Sequence, residues 1–560
     1  MIDSTPENKL SHNEVLKEND PILAGNLAET LNDPDADCFS NDDGQFLKFH
    51  GIYQQDDRDL RKTGKKYMFM IRGRIPSGIM KADHYKVYDD LATKYGNNTL
   101  RLTSRQSIQF HGVVKSGLGP LMKSINDALM TTLAACGDVN RNVMAPPTPA
   151  TEPWMHQVHE DSELLSNALL PTTPSYHAIW VEGVQLNIQE HKNHHDPLYG
   201  KTYLPRKFKA AFAMPPLNDV DLFTNCLGFV AISEGDKLTG YNLTVGGGLG
   251  MSHNNPNTFP RKADVIGYLT RDQVEDVAKS VLTIHRDFGD RTDRKHARLK
   301  YVLEEKGVAW FRKELESRLG FNLEDAKPFE FSRQGDRFGW HQQADGNHFL
   351  GLFVETGRIK DTESIQLKTA VRKVVDTYGV EVRLTPSQNM LLVNIPSDAV
   401  DAINQIMKDH GVPTTHEKSP VRSATMACPA LPTCGLALAE SERYLPGLID
   451  RIENQLGEAG IPQEEIIIRM TGCPNGCARP YMAELGFVGR APGKYNVYVG
   501  GNEAGTRLNK VYLESVKDAD MDETLGKILK RFQQEREGDE RFGDWSARVL
   551  WPELESAGKE

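Results

Sequence analysis

The chain contains one sequence pattern twice, and this internal repeat limits its possible folds more than any other feature. LRLTSRQSIQFHGV at 100–113 resembles VRLTPSQNMLLVNI at 382–395, which sets Arg101 and Arg383 282 residues apart. A tyrosine upstream of each segment keeps the same register to within one residue. Self-similarity at a fixed spacing marks a structural unit that is repeated along the chain. A duplicated architecture is therefore expected.

Each copy of the repeat contains the pattern of a small mixed domain. An alternating apolar run opens each copy, YMFMIRGRI at 67–75 and HFLGLFVETGRI at 348–359, and a helix-like stretch and a second strand follow. A further repeated unit comes after each copy, because GFVAISEGDKLTGYNLTVGGG at 228–248 resembles GFVGRAPGKYNVYVGG at 486–501. The sequence predicts an α+β fold in which a small half-domain and a larger α/β module occur in tandem, with a pseudo-two-fold arrangement.

Length and charge exclude several classes of protein. The 560 residues allow about three to five domains at roughly 150 residues each. No run approaches the roughly 18 apolar residues that cross a bilayer, and the N-terminus is polar and acidic, so a cytoplasmic protein without membrane association is expected. The net charge of −11 argues against a nucleic-acid partner. Any anion that the protein binds needs a local basic pocket.

Four of the seven cysteines lie close together in the sequence. They read C-x5-C and C-x3-C, at Cys428, Cys434, Cys473 and Cys477. Four thiolates can close a tetrahedral zinc site or hold an iron–sulfur cube. Structural zinc usually takes two short C-x2-4-C knuckles, so the C-x5-C spacing favours the cluster, with zinc and buried structural thiols as alternatives. The other cysteines, Cys38, Cys136 and Cys226, lack a partner pattern and are expected to be small buried hydrophobic residues.

A set of basic residues precedes apolar runs in this acidic chain. An isolated charged residue is usually solvated at the surface, but clustering weakens that interpretation. Lys207 and Lys209 alternate in YLPRKFK, and side chains at i and i+2 of a strand share one face. Convergent arginine and lysine side chains are what a multiply charged anion requires. The set comprises Arg72, Arg74, Arg101, Arg105, Arg141, Arg206, Lys207 and Lys209.

No nucleotide-binding motif is present. VGGGLGMS at 245–252 lacks the G-x-G-x-x-G spacing, and its repeat partner does not restore it, so both are interpreted as tight turns. A redox protein with this sequence would therefore receive its electrons from another molecule.

These motifs together resemble the sirohaem sulfite and nitrite reductases, and within them the haemoprotein (beta) subunits of assimilatory NADPH-sulfite reductases. The similarity covers nearly the whole chain, and the cysteine pattern is highly specific to the family. It is carried by FHGIYQQDDRDLR at 49–61, RLTSRQSIQFHG, NRNV, TYLPRKFK, NLTVGGGLG, RTDRKHARLKY at 291–301, both cysteine segments and FGDW at 542–545.

The resemblance implies two coupled cofactors and assigns residues to them. Cys428, Cys434, Cys473 and Cys477 would hold a [4Fe-4S] cluster, and Cys477 would also be the axial ligand of a sirohaem iron. The family's substrate-pocket residues match Arg72, Arg141, Lys207 and Lys209. Positions that contact the sirohaem or the cluster match Arg101, Arg105, Arg206 and Asn475.

The implied reaction is the six-electron reduction of sulfite to sulfide, which feeds cysteine biosynthesis. The implied partner is a flavoprotein (alpha) subunit that carries FAD and FMN and uses NADPH, or else a ferredoxin. Two alternatives stay open: a nitrite reductase of the same family, and a non-enzymatic iron–sulfur or zinc scaffold. Family nitrite reductases tend to carry Asn where this chain has Lys209, which favours sulfite.

Composition and resemblance together divide the chain into five segments. Residues 1–45 are rich in Asp, Glu, Asn and Ser, and they are predicted to form a mobile N-terminal arm or to dock on a partner. The predicted segments that follow are a first ferredoxin-like half-domain (46–145), a first sirohaem-reductase α/β domain (146–335), a second ferredoxin-like half-domain (336–415) and a second sirohaem-reductase domain with the cluster (416–560).

Overall fold

The computed structural model describes residues 9–415 and 417–557, and its strands are numbered β1–β19 along the chain. The first sheet has the order β1-β2-β5-β4-β12 and the second the order β10-β11-β14-β13-β3. Their strands are β1 (Ile52–Asp56), β2 (Tyr67–Arg72), β3 (Ile79–Met80), β4 (Leu100–Leu102), β5 (Ile108–Val113), β10 (Gly339–Gln342), β11 (His348–Leu352), β12 (Arg358–Ile359), β13 (Glu381–Leu384) and β14 (Met390–Ile395).

Each of the two small sheets is followed along the chain by another sheet, which contains more residues although the third has only four strands. The third sheet has the order β6-β7-β8-β9 and the fourth the order β15-β16-β17-β18-β19. Their strands are β6 (Ala210–Ala213), β7 (Leu227–Glu234), β8 (Lys237–Val245), β9 (Asp264–Thr270), β15 (Thr425–Ala427), β16 (Ile468–Thr471), β17 (Leu485–Ala491), β18 (Lys494–Val499) and β19 (Lys510–Lys517).

Helices cover these sheets, and α4 of the first repeat packs against α11 of the second. The helices are α1 (His12–Asn19), α2 (Leu27–Asn32), α3 (Asp43–Phe49), α4 (Ala82–Lys94), α5 (Lys115–Asp127), α6 (Met155–Ala168), α7 (Ser175–His177), α8 (Val274–Phe288), α9 (Leu299–Lys306), α10 (Val308–Leu319), α11 (Leu367–Tyr378), α12 (Val400–Asp409), α13 (Pro420–Ser423), α14 (Leu445–Glu458), α15 (Asp518–Glu535), α16 (Phe542–Trp545) and α17 (Trp551–Ala557). None of the described helices combines the length and the apolar character needed to cross a membrane.

The two small sheets exchange edge strands. β12 of the second repeat pairs with β4 of the first, with Arg358 opposite Arg101. In the reciprocal position, β3 of the first repeat pairs with β13 of the second, with Ile79 opposite Arg383. An unpaired edge strand is open to pairing with another strand, and each repeat covers the edge of the other. The exchange gives the pseudo-two-fold arrangement that the sequence predicts.

The two larger sheets also share one strand arrangement. β6 and β7 are parallel, with Ala210 opposite Leu227, and β16 and β17 are parallel, with Ile468 opposite Leu485. β6 and β16 are buried along their whole length, as expected of parallel strands covered on both faces. The fold class predicted from the duplication is confirmed, while the individual domain boundaries stay predictions.

The prediction of a free N-terminal arm needs correction for the described part of that segment, residues 9–45. Ile22, Leu23 and Leu27 are fully buried in the core shared with both half-domains. The Lys17 ammonium, also buried, donates to the carbonyl of Leu204 at 2.8 Å. The polar composition of the segment concealed a short apolar stretch that packs on the body. The remaining residues of the predicted arm, 1–8, lie outside the described part of the chain.

Candidate active site

Two loops that follow neighbouring parallel strands carry the four clustered cysteines. β15 ends at Ala427, directly before Cys428, and β16 ends two residues before Cys473. Because these strands are parallel, their ends lie side by side, with Ala427 opposite Met470. The backbone N–H of Cys428 donates to the carbonyl of Met470 at 3.2 Å. Strand pairing therefore brings together two cysteine pairs that are 38 residues apart in the sequence.

Amide donors point at two of the sulfur atoms. The backbone N–H of Gly472 lies 3.3 Å from Cys428 Sγ, and Asn475 Nδ2 lies 3.6 Å from Cys473 Sγ. A Cβ atom on Gly472 would lie 2.5 Å from the carbonyl oxygen of Ala439, so this close approach requires glycine. N–H donors stabilise negative charge on metal-bound sulfur and tune the metal centre. Asn475, predicted to contact a cofactor, thus contacts a predicted cluster ligand.

The four thiols lie near enough to influence one another. Burial, and next the charge of Cys477, raise the pKa of Cys428 well above its ordinary value. Burial, Cys477 and Cys434 raise the pKa of Cys473 to about 12. Within the described ranges, no group of three or more His, Cys, Asp or Glu side chains has the arrangement that a single metal ion requires. Buried thiolates that repel one another need a cationic centre, and an iron–sulfur cluster fits this donor set.

Cys477 differs from the other three because it faces an open space lined with cations. Cys477 is exposed, Cys434 is half-buried, and Cys428 and Cys473 are buried. The negative charge that Cys477 would carry acts on several basic side chains across this space. The Cys477 thiol can therefore contact both a group held by the cysteine loops and a group in the space beside them.

We call the basic side chains around this space the cationic hollow. Arg298 at the start of α9 interacts electrostatically with Lys207 and Lys209. Lys207 and Lys209 flank the fully buried Phe208, so both point to the same side, as the sequence predicts. The backbone N–H of Arg141 donates to the carbonyl of Phe208 at 2.9 Å, which holds the loop that carries Arg141 beside the two lysines. The hollow consists of Arg72, Arg105, Arg141, Arg206, Lys207, Lys209 and Arg298.

Several of these cations have no counter-charge. In the described part of the chain, the side chains of Lys207, Lys209 and Arg298 have no hydrogen-bond or ion-pair partner, and Arg206 Nε has none either. Burial and the neighbouring Arg105 and Arg298 lower the pKa of Lys209 to about 7, and burial and Arg298 lower that of Lys207 well below its ordinary value. Packed, unpaired positive charges are unfavourable unless an anion neutralises them. The hollow therefore fits a polyanion.

Arg105 and Arg72 reach the hollow but also bond to the protein around it. The Arg105 guanidinium donates to the carbonyls of Asn142 at 2.9 Å and Ala210 at 3.3 Å, and to the side chain of Asn225. Arg72 Nη1 lies 3.2 Å from Cys136 Sγ. Cys136 and Cys226 are buried, as expected, whereas Cys38 is only half-buried.

Arg101 does not enter the hollow. Its guanidinium donates to the carbonyl of Ala427 at 2.7 Å and pairs with Glu442 at 3.0 Å. Arg358 on the exchanged strand β12 pairs with the same carboxylate at 2.7 Å. Arg101 thus braces the strand that leads into Cys428, and its predicted contact with a cofactor stays a prediction.

Glu442 gives a testable pH dependence. Burial would raise its pKa, but Arg101 and Arg358 together outweigh burial and hold the pKa of Glu442 at about 2, below its ordinary 4.5. A depressed folded-state pKa contributes stability above pH 4.5 that is lost as the pH falls towards 2. Glu442→Gln is expected to lower the free energy of unfolding by about 3 kcal/mol at pH 7, with a smaller deficit at pH 3.

Thermal unfolding of the purified variant and the wild type at both pH values measures this deficit. Glu458→Gln, at the exposed end of α14, is the matched control and should leave stability unchanged. A deficit that is equal at pH 7 and pH 3 would contradict the assigned role of the carboxylate.

The duplicate half has lost the cations of the hollow. The repeat and strand registers place a second cavity, of about 340 Å³, at the equivalent position beside β15 and β16. Arg333 and Arg469 also line this cavity, but neutral or acidic side chains occupy four positions where the first copy has cations. Ser387, Ser423, Glu465 and Ile467 occupy the positions of Arg105, Arg141, Lys207 and Lys209.

Sequence reasoning missed two contributors to this region. Arg298 completes the hollow, and its signal was the basic stretch RTDRKHARLKY at 291–301. Arg479 donates to the carbonyls of Ser104 at 2.9 Å and Pro386 at 2.8 Å, and so ties the second cysteine loop to both repeats. Arg479 follows Cys477 by two residues, so the sequence predicts that it lies near the cysteine loop. The sequence does not predict its hydrogen-bond partners.

Comparison with known proteins assigns the class. Residues 160–323 and 419–559 match the family described as "Nitrite and sulphite reductase 4Fe-4S domain". Residues 61–128 and 341–410 match "Nitrite/Sulfite reductase ferredoxin-like half domain". With the duplicated fold and the four-cysteine site, these matches show that the chain belongs to the nitrite and sulfite reductase family. The predicted family, ferredoxin-like duplication and [4Fe-4S] class are thereby confirmed.

Individual proteins are similar to this chain over nearly its whole length. The chain is 47 % identical over 532 residues to "Sulfite reductase [NADPH] hemoprotein beta-component" of Staphylococcus carnosus, covering 94 % of this chain and 93 % of that one. It is 46 % identical over 546 residues to the protein of the same name from Myxococcus xanthus, covering 96 % of each. The solved structure of Mycobacterium tuberculosis NirA has a TM-score of 0.79 at 24 % identity over 96 % of both chains, and supports the fold.

Proposed function

We propose that the chain is the haemoprotein of an assimilatory sulfite reductase, which reduces sulfite to sulfide with six electrons. The cationic hollow carries this proposal, because its unpaired cations meet the exposed thiol of Cys477 beside the other three cysteines. The names of the similar proteins from Staphylococcus carnosus and Myxococcus xanthus support it.

The residues divide between two cofactors. The four clustered cysteines would hold a [4Fe-4S] cluster, and Cys477 would also help to hold a sirohaem. Sirohaem carries eight carboxylates, and Arg105, Arg206 and Arg298 would neutralise part of this charge. When bound, the two groups supply single electrons and an iron centre that accepts the sulfur of sulfite.

The chain's own residues would bind the oxyanion and deliver protons. Arg72 and Arg141 would fork onto the sulfite oxygens, and Lys207 and Lys209 would hold protons at Nζ. Burial lowers the pKa of both lysines, so each gives up a proton more readily than a surface lysine. A bound anion raises these pKa values again, which couples protonation to binding. Six protons convert the three oxygens to water, and a seventh is taken up when the sulfide leaves as HS⁻.

Nitrite reduction is the nearest competing function, and the hollow favours sulfite. Sulfite is a dianion near neutral pH and nitrite a monoanion, so the two lysines stabilise sulfite more. We expect a higher kcat/KM for sulfite than for nitrite when the purified holoprotein is driven by reduced methyl viologen. A higher kcat/KM for nitrite would reverse the substrate assignment.

A non-enzymatic scaffold is the competing function of another class. It predicts protein without haem, whereas the proposed enzyme made in a sirohaem-competent host should show a Soret band and long-wavelength chlorin absorption. A colourless product, with no iron or labile sulfide, would contradict the enzyme.

The electron donor is proposed to be a separate flavoprotein that carries FAD and FMN and draws on NADPH. The word NADPH in the names of the similar proteins supports this, and the lack of a nucleotide motif in the sequence agrees with it. A ferredoxin is the second candidate. The cytoplasmic location stays a prediction.

A further inference from the structure

A buried lysine that the proposed reaction does not use lies in the first turn of α9. Lys300 is fully buried, and its ammonium donates to the carbonyls of Gly248 at 3.1 Å, Gly250 at 3.0 Å and Phe259. No carboxylate forms an ion pair with it in the part of the chain that the structure describes. We call residues 246–250, which contain the two glycines, the glycine loop. The loop carbonyls therefore take the place of a counter-charge.

The three carbonyl oxygens match the hydrogen-bonding groups of an ammonium ion. An ammonium has three N–H donors and no acceptor, whereas a neutral amine would leave one carbonyl without a donor. The rings of Tyr301, at 4.9 Å from Nζ, and Phe259, at 5.6 Å, add favourable cation–π contacts. Burial and the charge of Arg298 lower the pKa of Lys300 to about 7, and the carbonyl dipoles oppose this loss of the proton. Backbone carbonyls arranged in this way also bind monovalent metal ions.

The glycine loop contacts both parts of the candidate active site. A Cβ atom on Gly250 would lie 2.4 Å from Arg298 Nη1, so the loop packs directly against this guanidinium of the cationic hollow. The backbone N–H of Met251 donates to the carbonyl of Pro474 at 2.9 Å. Pro474 directly follows Cys473 in the second cysteine loop. The position of the glycine loop therefore affects the spacing between the hollow and the clustered thiols.

We propose that the carbonyls of Gly248, Gly250 and Phe259 form a monovalent-cation site, and that Lys300 fills this site as a tethered ammonium. Lys300 is then a positioning residue, which acts on Arg298 and on the second cysteine loop through the glycine loop. Without the ammonium the three carbonyls lose the donor that they share, and the glycine loop loosens. The effect on catalysis rests on the proposed function, whereas the cation site itself does not.

Hydrogen–deuterium exchange of the holoprotein tests the cation site directly. Lys300→Met keeps an unbranched side chain and removes the charge, so the amides of residues 246–252 should exchange about tenfold faster. Lys295→Met is the matched control, because Lys295 is exposed in the same stretch of sequence and should leave exchange unchanged. Thermal unfolding shows that each variant is folded. Wild-type exchange in folded Lys300→Met, or equally fast exchange in the control, would overturn the proposal.

Chemical rescue tests whether the charge is what holds the loop. Lys300→Ala removes three carbons and the nitrogen, which n-propylammonium replaces atom for atom. This cation should return the exchange of residues 246–252 towards the wild-type rate, whereas 1-propanol, which is neutral and of similar size, should not. Recovery with both compounds, or with neither, would overturn the cation role of Lys300.

Kinetics connect the cation site to the hollow. Lys300→Met should lower kcat/KM for sulfite with reduced methyl viologen by about tenfold to 10²-fold, the scale expected for a displacement of about 1 Å. Gly250→Ala keeps the buried charge but displaces the Arg298 guanidinium, so kcat/KM should fall without faster exchange. An unchanged kcat/KM in Gly250→Ala would overturn the link to Arg298. A wild type that reduces no sulfite would overturn only the reaction, because the exchange measurements decide the cation site independently.

Discussion

Cys477→Ser is expected to abolish sulfite reduction, with a loss of at least about 10³-fold in kcat. Serine is a hard oxygen ligand and replaces thiolate poorly on iron. Under the proposed function the substitution removes one cluster ligand and the link to the haem together. The charge of Cys477 also acts on Lys207, Lys209 and Arg298, so the substitution removes that charge from beside the hollow as well.

The measurement combines activity, composition and spectrum. Sulfite turnover with reduced methyl viologen gives kcat, and iron and labile-sulfide analysis and the visible spectrum report the cofactors. Cys38→Ser, half-buried and remote in sequence from both cysteine loops, is the control and should behave as wild type. Thermal unfolding shows whether the variant is folded. Folded Cys477→Ser protein with activity within tenfold of wild type would exclude the bridging role.

Lys209→Asn is expected to keep the cofactors and lower kcat/KM for sulfite by about 10² to 10³, or roughly 3–4 kcal/mol, the scale of losing one preorganised charge. Nitrite carries less charge, so its kcat/KM should fall less. The variant should therefore move the sulfite-to-nitrite ratio towards nitrite.

Steady-state kinetics on both anions with the chemical reductant test this shift. Lys201→Asn, which removes a lysine upstream in the same segment, is the control and should leave the ratio unchanged. Lys209→Arg keeps the positive charge and should recover part of the sulfite rate. An unchanged sulfite rate in Lys209→Asn would remove Lys209 from the mechanism.

Local sequence patterns predicted much of this architecture. The repeat around Arg101 and Arg383 predicted two copies of one unit, and the alternation of Lys207 and Lys209 predicted that they share a side. Both inferences depend only on spacing along one strand or between copies. The contact of the two cysteine loops depends on parallel pairing of β15 with β16, which the spacing alone did not specify.

Long-range contacts were not available from the sequence. Arg298 reaches the hollow from the start of α9, 89 residues after Lys209 in the sequence. No local sequence pattern predicts that these two side chains lie close together. Glu442 pairs with Arg101 across 341 positions. The exchanged strands β3 and β12 have two residues each, too few for a periodic signal.

Those exchanged strands have an evolutionary and a practical consequence. Each small sheet is completed by the other copy, as in a domain-swapped homodimer whose subunits were later joined into one polypeptide. Cutting the chain between the halves would leave both sheets without an edge strand, and would separate Arg358 from the carboxylate it shares with Arg101. Neither half is then a self-sufficient folding unit, so one half could keep the clustered cysteines while the other kept the cations of the hollow.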